Sequence, residues 1–250
     1  MQANVLIPGG STFRSAVNSI KKINFINVLV KRINAGRIME IKHIMKNAGF
    51  KDTDVVLDIG SGDGYWTNYF SQDCLKVIGV EPYEEHLQMA KKNYGSSCVF
   101  TKAVAENLNF ESNCFNKIVS VCVFEHLVND KRAFSEMHRV LKPSGKLVAT
   151  VDSLNSIYIK ASHRKSHMTS CYCSQLYTEE SITEKLTAAG FKNIKAKYLM
   201  SSRLAVFYEM LSEKIGAFSF FILLPLYPII MFSGNSKKSS GYKIFVSAEK

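Results

Sequence analysis

The chain has 250 residues, of which 46% are hydrophobic and 21% are charged, and this balance excludes a protein that is disordered throughout. Its length allows one α/β domain with a sizeable core and an appendage. The formal net charge of +11 indicates an anionic partner or surface, and the six scattered cysteines favour reduced thiols over a disulfide framework.

The first fifth of the chain carries most of the positive charge. Residues 1–51 hold nine Lys or Arg residues against the single acid Glu40. Within residues 14–33, apolar side chains recur every three or four positions, which predicts a basic amphipathic helix. We therefore expect residues 1–36 to form a region of their own. It either packs on the domain of residues 37–250, as a lid, or contacts an anionic surface, that of a membrane or a nucleic acid.

Helices and strands alternate through the next part of the chain. The pattern predicts helices over residues 35–47, 65–72, 84–93 and 130–141. It predicts strands over residues 55–59, 76–80, around 99, 115–123 and 146–150. Such alternation is typical of a parallel sheet that helices cover on both faces. Ligands of these sheets bind outside the carboxyl ends of the strands.

A glycine-rich turn follows the first predicted strand. This strand, with Asp58 inside it, runs into Gly60, Gly62 and Gly64. Glycine at alternate positions lets the backbone turn sharply and approach a ligand that a Cβ atom would hold away. Because such turns also occur where nothing binds, the motif needs support from other residues.

That support comes from residues that follow the other strands. Glu81, with Pro82 after it, ends the second strand, and its carboxylate can accept hydrogen bonds from both hydroxyls of a ribose. Ala105 and Glu106 follow the third strand, and Glu125 and His126 follow the fourth. We expect these residues to share one edge of the sheet.

In this order, over residues 37–151, the motifs resemble those of the class I S-adenosylmethionine-dependent methyltransferases. The resemblance implies a Rossmann-like α/β fold, with a seven-stranded, mostly parallel sheet, helices on both faces and an antiparallel last strand between the fifth and the sixth. It implies S-adenosyl-L-methionine as the cofactor. Residues 142–145, Lys-Pro-Ser-Gly, are similar to the family's turn into the fifth strand.

The resemblance also implies roles for individual residues. The implied cofactor-binding residues are Asp58, Gly60, Ser61, Gly62, Gly64, Glu81, Pro82, Ala105, Glu106 and Cys122. The glycine turn would surround the methionine part and the sulfonium, Glu81 would hold the ribose, and Glu106 would meet the adenine edge. Glu125 and His126 stand where the family faces the transferable methyl group. We expect His126, with Glu125 second, to act as the base on a hydroxyl acceptor. The alternative is structural, since Glu125 could hold a loop and His126 could close the pocket.

Three other classes of protein stay open as alternatives. A nicotinamide-dependent oxidoreductase also needs such glycines and an acid about 20 residues further on, but its fingerprint places glycine or alanine where this chain has Tyr65. The basic N-terminal region alone would allow a nucleic-acid methyltransferase, although no RNA- or DNA-binding module is recognisable. A membrane-associated protein that binds the cofactor without catalysis is the third.

A polar and basic stretch, residues 155–175, follows the fifth strand. Within it His163, His167 and Cys171 are spaced four apart, with Cys173 beyond, so a helix would place the first three on one face. Imidazole and thiolate are zinc ligands, but the spacing matches no metal motif. We expect no metal here, and a loop that covers the acceptor and in which a histidine could serve as base.

An apolar insert, residues 204–236, separates the last two strands, which we expect over residues 191–199 and 241–248. Before the first of these strands, Thr178 is the expected N-cap of a helix that ends at Gly190. The insert carries no charge over residues 215–236.

By length this uncharged stretch could span a bilayer, but Pro225 and Pro228 would break such a helix near its middle. A last strand that returns to the same sheet also requires the insert to leave and re-enter on one side. We expect a helical hairpin that dips into one leaflet, with Tyr227 at the interface and Lys237 and Lys238 at the headgroups. A buried helix pair or a homodimer interface is the alternative.

These inferences predict an enzyme that transfers a methyl group from S-adenosylmethionine to a small-molecule, lipid or lipid-linked sugar acceptor at a membrane surface, by O-methylation. No secretory signal is recognisable, so we expect a cytoplasmic protein that is peripheral at the inner face of the membrane. A nucleic-acid partner is not favoured, and a homodimer stays open.

Overall fold

The structure, a computed structural model, describes residues 34–215, 224–233 and 239–250. The basic amphipathic helix predicted for residues 14–33 lies outside the described residues, as do residues 216–223 and 234–236 of the apolar insert and the predicted headgroup contacts Lys237 and Lys238. The boundary predicted after residue 36 falls within the first described helix and stays a prediction.

The described residues form seven strands and a set of helices. The strands are β1 Val55–Ile59, β2 Lys76–Val80, β3 Val99–Thr101, β4 Phe115–Val121, β5 Leu141–Asn155, β6 Lys192–Leu199 and β7 Gly241–Glu249. The helices are α1 Ala35–Ala48, α2 Tyr65–Phe70, α3 Glu84–Tyr94, α4 Asp130–Val140, α5 Ala161–Ser170, α6 Glu179–Ala188, α7 Arg203–Ile215 and α8 Tyr227–Ser233. Short 3₁₀ turns cover Ser71–Asp73, Phe124–His126 and Leu224–Leu226.

The strands lie in the order β3-β2-β1-β4-β5-β7-β6. Parallel pairing runs from β3 through β2, β1 and β4 to β5, whereas β7 is antiparallel to both of its neighbours. This arrangement confirms the predicted Rossmann-like fold and the place of the last strand. The strand order reverses between β1 and β4, and open sheets of this kind bind ligands in the crevice at that reversal.

Helices cover both faces of the sheet. On one face α1, α2, α7 and α8 contribute to a core cluster that includes Met39, Phe70, Tyr208 and Ile230. On the other face α4 and α6 contribute to a cluster that includes Phe134 and Ile182. The helix α6 begins as predicted, because the side chain of its N-cap Thr178 accepts a hydrogen bond from the backbone of Ser181 and the Ser181 hydroxyl accepts one in return.

β5 is longer than the predicted strand of residues 146–150. It begins at Leu141, which pairs with Phe115 before the register shifts. Residues 142–145 therefore lie inside the strand as an irregularity, at which Ser144 takes a φ of 61°. Pairing on both sides of this irregularity maintains the strand, and this pairing was not visible in the local sequence.

β4 ends at Val121 rather than at residue 123, where the sequence predicted its end. Cys122 takes a left-handed φ of 53°, and a strand does not continue through that conformation. The 3₁₀ turn Phe124–His126 follows. The predicted catalytic pair therefore lies in a turn at the carboxyl edge of the sheet, after a residue with an uncommon backbone conformation.

The apolar insert packs against α1 in the part that the structure describes. Ala205, Val206 and Tyr208 of α7 and Ile230 of α8 are buried in the same core cluster as α1. The Tyr208 hydroxyl accepts a hydrogen bond from the backbone N–H of Ala35 at 3.0 Å. These contacts show that one side of each helix packs against the domain, while the leaflet hairpin, the buried helix pair and the homodimer interface stay predictions. Within the described ranges, no helix combines the length and the apolar character needed to cross a bilayer.

Candidate active site at the carboxyl edge of the sheet

A cavity of about 880 Å³ opens at the carboxyl ends of β1, β2 and β4. The predicted site residues in its wall are Gly60, Glu81, Pro82, Ala105, Glu106, Cys122 and His126. Those that lie outside the wall are Asp58, Ser61, Gly62, Gly64 and Glu125. Further wall residues that the sequence did not indicate include Tyr83, Glu85 and His86, whereas Cys171 and Tyr172 belong to the predicted covering loop. The fold thus brings residues from distant parts of the chain to one concave site.

The three glycines of the turn after β1 have different surroundings. All three have positive φ angles, of 75°, 53° and 83° for Gly60, Gly62 and Gly64. A Cβ atom on Gly60 would lie 2.4 Å from Val123, and one on Gly64 would lie 2.8 Å from Phe100. A Cβ atom on Gly62 would meet nothing within 4 Å. The outer glycines are therefore needed for packing, whereas the middle one leaves open space above the turn.

Glu81 connects this turn to the end of β2. Its side chain is buried, and its two carboxylate oxygens accept hydrogen bonds from the backbone N–H groups of Gly62 at 3.0 Å and Tyr83 at 3.1 Å. A carboxylate oxygen has more than one lone pair. Both oxygens can therefore accept a further hydrogen bond from a ligand in the cavity while the backbone fixes their orientation.

Asp58 lies beneath the glycine turn and is almost fully buried. One of its oxygens accepts a hydrogen bond of 2.6 Å from the Thr67 hydroxyl at the start of α2. Burial raises the pKa of the Asp58 carboxyl to about 7, with the hydrogen bond from Thr67 opposing and the charge of Glu81 adding to the rise. The buried Ser61 hydroxyl has no hydrogen-bond partner among the described residues. Neither residue lines the cavity, and Asp58 supports the turn from below through its bond with Thr67.

Glu106 forms part of the opposite wall of the cavity. Its Oε1 atom accepts hydrogen bonds from the backbone N–H groups of Val128 at 3.2 Å and Asn129 at 3.3 Å. These bonds tie the segment after β3 to the loop before α4. The carboxylate therefore has a structural role, and a contact with a bound base stays a prediction.

His126 is exposed in the cavity wall. Its Nδ1 atom lies 3.4 Å from the carbonyl oxygen of Tyr172, in the segment that follows α5. A proton on Nδ1 would face this carbonyl and would leave Nε2 as the basic nitrogen. Cys171 and Tyr172 also line the cavity, so part of the predicted covering loop does lie beside His126.

Glu125 has surroundings very different from those of His126. Its side chain is fully buried, and neither carboxylate oxygen has a hydrogen-bond partner among the described residues. Burial, together with the charge of Asp152, raises the pKa of this carboxyl well above its usual range. Its backbone carbonyl accepts hydrogen bonds from the N–H groups of Ser174 and Gln175 at 2.7 and 3.2 Å, so this residue also anchors the covering loop.

Cys122 connects the cavity to a buried polar network that the sequence did not reveal. Its Sγ atom lies 2.8 Å from an Oε atom of Glu40 and 3.2 Å from the Nζ atom of Lys243. Lys243 also contacts Asp152 at 3.1 Å, and Arg37 pairs with Glu40 at 3.1 Å. One available signal was Lys243 itself, a charged residue within a largely apolar strand.

Comparison with known proteins adds a family match. The family model described as a methyltransferase domain matches residues 57–149. The mitochondrial ubiquinone biosynthesis O-methyltransferase of Rattus norvegicus is 29% identical over 112 residues, which cover 42% of this chain and 32% of that protein. An uncharacterized protein of Methanocaldococcus jannaschii is 30% identical over 156 residues, which cover 62% of this chain and 69% of that protein. The chain thus matches about a third of the rat protein's length.

Solved structures resemble this one in fold. Phosphoethanolamine N-methyltransferase 2 of Haemonchus contortus, in complex with S-adenosyl-L-methionine, matches with a TM-score of 0.64 at 20% identity over 84% of this chain and 52% of that one. A methyltransferase of Thermotoga maritima, described as a possible histamine N-methyltransferase, matches with a TM-score of 0.62 at 17% identity over 95% and 98% of the two chains. At these identities the likeness concerns the fold.

Proposed function

Because the chain belongs to the class I S-adenosylmethionine-dependent methyltransferase family, we propose that its cavity binds S-adenosylmethionine and that the protein methylates a hydroxyl group of a small-molecule or lipid-linked acceptor. The observation that carries the proposal is the pairing of Glu81 with the open glycine turn at one end of the cavity and of His126 with Tyr172 at the other. The first pair suits a nucleoside, and the second suits an acceptor.

The residues present fit this cofactor. Gly62 leaves space for a ligand above the turn. Glu81 has two fixed oxygens that can accept hydrogen bonds from two ribose hydroxyls. Ala105 and Glu106 lie in the wall, where the backbone and the carboxylate can meet a base edge. The cavity of about 880 Å³ is in the range of ligand-binding cavities in general.

When bound, S-adenosylmethionine supplies an electrophilic methyl group on a sulfonium whose positive charge is lost on transfer. The protein's own contribution is to hold the acceptor in line and to exclude water. His126 holds the acceptor hydroxyl through Nε2 and takes its proton there, while the Tyr172 carbonyl fixes the ring through Nδ1. Its exposed position in the cavity wall makes it better suited to this role than the buried Glu125.

Two observations favour a hydroxyl acceptor that reaches the protein from a lipid phase. The rat relative is named an O-methyltransferase of ubiquinone biosynthesis. In this chain the large apolar side chains of Phe207 and Ile229, on α7 and α8, are 56% and 54% exposed, and exposed apolar side chains on adjacent helices suit contact with lipid.

Titration calorimetry with S-adenosylhomocysteine tests the cofactor, and transfer of an isotope-labelled methyl group to phenols, lipids and lipid-linked sugars tests the acceptor. We expect micromolar binding and label in an O-methyl ether. Absence of binding would overturn the enzyme proposal. A labelled methyl group on nitrogen or in nucleic acid would be consistent with a methyltransferase but would contradict the proposed hydroxyl acceptor.

Co-sedimentation with anionic and neutral vesicles tests the lipid part separately. We expect the protein to sediment with anionic vesicles and the double variant Phe207→Ser, Ile229→Ser to sediment less. Protein that stays in the supernatant with both vesicles would contradict a lipid-borne acceptor while leaving cofactor binding untouched.

A further inference from the structure

A cluster of metal-ligand side chains lies beneath the acceptor end of the cavity. It contains Asp152 of β5, His167 of α5 and Cys173 in the loop after α5, and one ligand atom of each lies within 4.8 Å of the other two. The Nε2 atom of His167 is 2.9 Å from Oδ2 of Asp152. Two ligands of a tetrahedral zinc ion, at about 2.0–2.1 Å from the metal, lie roughly 3.3 Å apart. The imidazole and the carboxylate are thus near the separation that a shared ion requires.

The second ring nitrogen of His167 is also held. Its Nδ1 atom lies 3.1 Å from an oxygen of Glu213 at the end of α7. Histidines that ligate a metal through one nitrogen commonly donate the other N–H to a carboxylate, which fixes the tautomer and the ring orientation. His167 is buried, so both of its nitrogens are directed by the protein rather than by solvent.

Glu125 is a buried carboxyl group next to this cluster that makes no hydrogen bond with the described residues. It is fully buried, and both carboxylate oxygens have no hydrogen-bond partner among the described residues. One of these oxygens lies within 4.8 Å of an Asp152 oxygen and of the Cys122 sulfur. A buried carboxylate without a partner costs several kcal/mol, so a nearby cation would offset an otherwise unfavourable arrangement.

The charges around the cluster leave room for a cation. Four carboxylates lie in or next to it, from Glu40, Glu125, Asp152 and Glu213. Arg37 and Lys243 face them with permanent positive charges. His167 is a third cation while both of its ring nitrogens are protonated toward Asp152 and Glu213, and a bound ion would take the place of one of these protons. Lys243 contacts Oδ1 of Asp152 at 3.1 Å, which leaves Oδ2 for the side that faces His167.

We propose that Asp152, His167 and Cys173 bind one divalent transition-metal ion, with Glu125 as a neighbouring carboxylate that helps to balance its charge. The mixed nitrogen, sulfur and oxygen donor set favours zinc over magnesium or calcium, which prefer oxygen ligands alone. Binding releases the thiol proton of Cys173 to solvent, since the thiolate is the ligand.

The position of the cluster gives the ion a clear structural consequence. Cys173 lies two residues beyond Cys171 and next to Tyr172, both in the wall of the main cavity. Cys173 also lines a second cavity of about 410 Å³ on the α5 side, together with Arg164, which offers an entry path. An ion bound to Cys173 would fix the loop whose Tyr172 carbonyl faces His126. The inference does not depend on the identity of the cofactor or the acceptor.

The test measures zinc content by mass spectrometry and cobalt binding by absorbance, on the full chain after dialysis against excess zinc or cobalt. We expect one zinc per chain and a cobalt spectrum with intense tetrahedral bands and a thiolate-to-cobalt charge-transfer band. Cys173→Ser should lose the charge-transfer band. The matched control Cys171→Ser should keep it, because the exposed Cys171 lies 4.0 Å from Nδ1 of His167, on the Glu213 side of the ring.

Two further variants test the remaining parts of the site. Glu213→Gln should weaken zinc binding by about 10- to 100-fold, as expected for a carboxylate that orients a ligating histidine, and Glu125→Gln should weaken it at least as much. Thermal melts of each variant confirm that the fold is retained. Wild-type protein without zinc would overturn the proposal, as would Cys173→Ser with the spectrum of Cys171→Ser. Unchanged zinc affinity in Glu125→Gln would contradict a contribution of Glu125 to the site.

Discussion

The carboxylate of Glu81 accepts a hydrogen bond from the backbone N–H of Gly62 at 3.0 Å, so the acid at the end of β2 and the glycine turn after β1 form one unit. Through this bond, the turn fixes the orientation of the carboxylate, and the carboxylate fixes the height of the turn above the sheet. A substitution at either Glu81 or the glycine turn should therefore change the affinity for a ligand that contacts the other.

Glu81→Gln should weaken S-adenosylhomocysteine binding by roughly 10- to 100-fold, because hydrogen bonds to a charged group contribute about 1.5–3 kcal/mol. The glutamine side chain would also place its NH₂ group opposite one of the two backbone N–H groups that now donate hydrogen bonds to the carboxylate. The control is Glu85→Gln, the same change at an exposed residue of the same cavity. Calorimetry should give a wild-type affinity for that variant, and equal losses in both variants would contradict a specific role for Glu81.

Gly62→Ala tests the open space above the turn. Gly49, which follows α1, provides a matched control, since its φ of 57° is close to the 53° of Gly62 and an added Cβ atom meets nothing within 4 Å at either residue. Both substitutions should cost about 1 kcal/mol of stability through backbone strain. Only Gly62→Ala should also reduce S-adenosylhomocysteine affinity. Calorimetry measures the affinity, and thermal melts of both variants measure the stability. A wild-type affinity for S-adenosylhomocysteine in Gly62→Ala would show that the ligand does not occupy the space above Gly62.

Asp58 should make the protein less stable as the pH rises. Its pKa is about 7 in the folded state against about 3.9 in an unfolded chain, so the folded state holds a proton that the unfolded state loses between pH 4 and pH 7. The free energy of unfolding therefore falls through this window, by up to about 4 kcal/mol. Asp58→Asn removes the titration and can still accept the Thr67 hydrogen bond.

Urea unfolding of Asp58→Asn and wild type at several pH values measures this effect. The variant should gain stability relative to wild type as the pH rises from 4 to 7, and the difference should level off above pH 7. Asp73→Asn, at an exposed acid, should show no such trend. A difference between Asp58→Asn and wild type that does not vary with pH would contradict the raised pKa.

The sequence predicted the features that depend on local pattern. The strand of residues 76–80 and the acid after it were found because a short apolar run ends at a charged residue. The N-cap at Thr178 was found because capping is a property of four consecutive residues. In these places local preference and the final fold agree.

The features that depend on distant contacts were not predicted. Glu40 lies 3.2 Å from Lys243, although about 200 residues separate them and no spacing rule connects them. The sequence spacing predicted that a helix would place His163, His167 and Cys171 on one face, and the three do lie close together, with Cys171 Sγ 4.0 Å from Nδ1 of His167. The spacing did not predict that His167 would also lie 2.9 Å from Asp152 of β5. Partners across a sheet are set by topology, which the residues of one helix do not encode.

Lys243→Met should be strongly destabilising. The Lys243 side chain is 10% exposed and contacts Glu40 at 3.2 Å and Asp152 at 3.1 Å, so its removal leaves two buried carboxylates short of a cation. The expected loss is about 3–5 kcal/mol. Lys146→Met is the control, since Lys146 pairs with Glu249 at 3.7 Å with about a third of each side chain exposed, and such pairs contribute about 1 kcal/mol or less. Similar losses in the two variants, from urea unfolding, would contradict the importance of the buried network.

His126→Gln should lower the rate of methyl transfer by about 100- to 10,000-fold, the range typical of losing a general base, while S-adenosylhomocysteine affinity stays within about twofold of wild type. Glutamine can donate and accept hydrogen bonds but cannot take the acceptor proton at neutral pH. His86→Gln is the matched control, because His86 lines the same cavity at the end that holds Glu81. Its loss should leave the rate constant of transfer unchanged. Single-turnover transfer of a labelled methyl group, together with calorimetry, separates the two steps, and a His126→Gln variant with the wild-type transfer rate would assign the proton to another group.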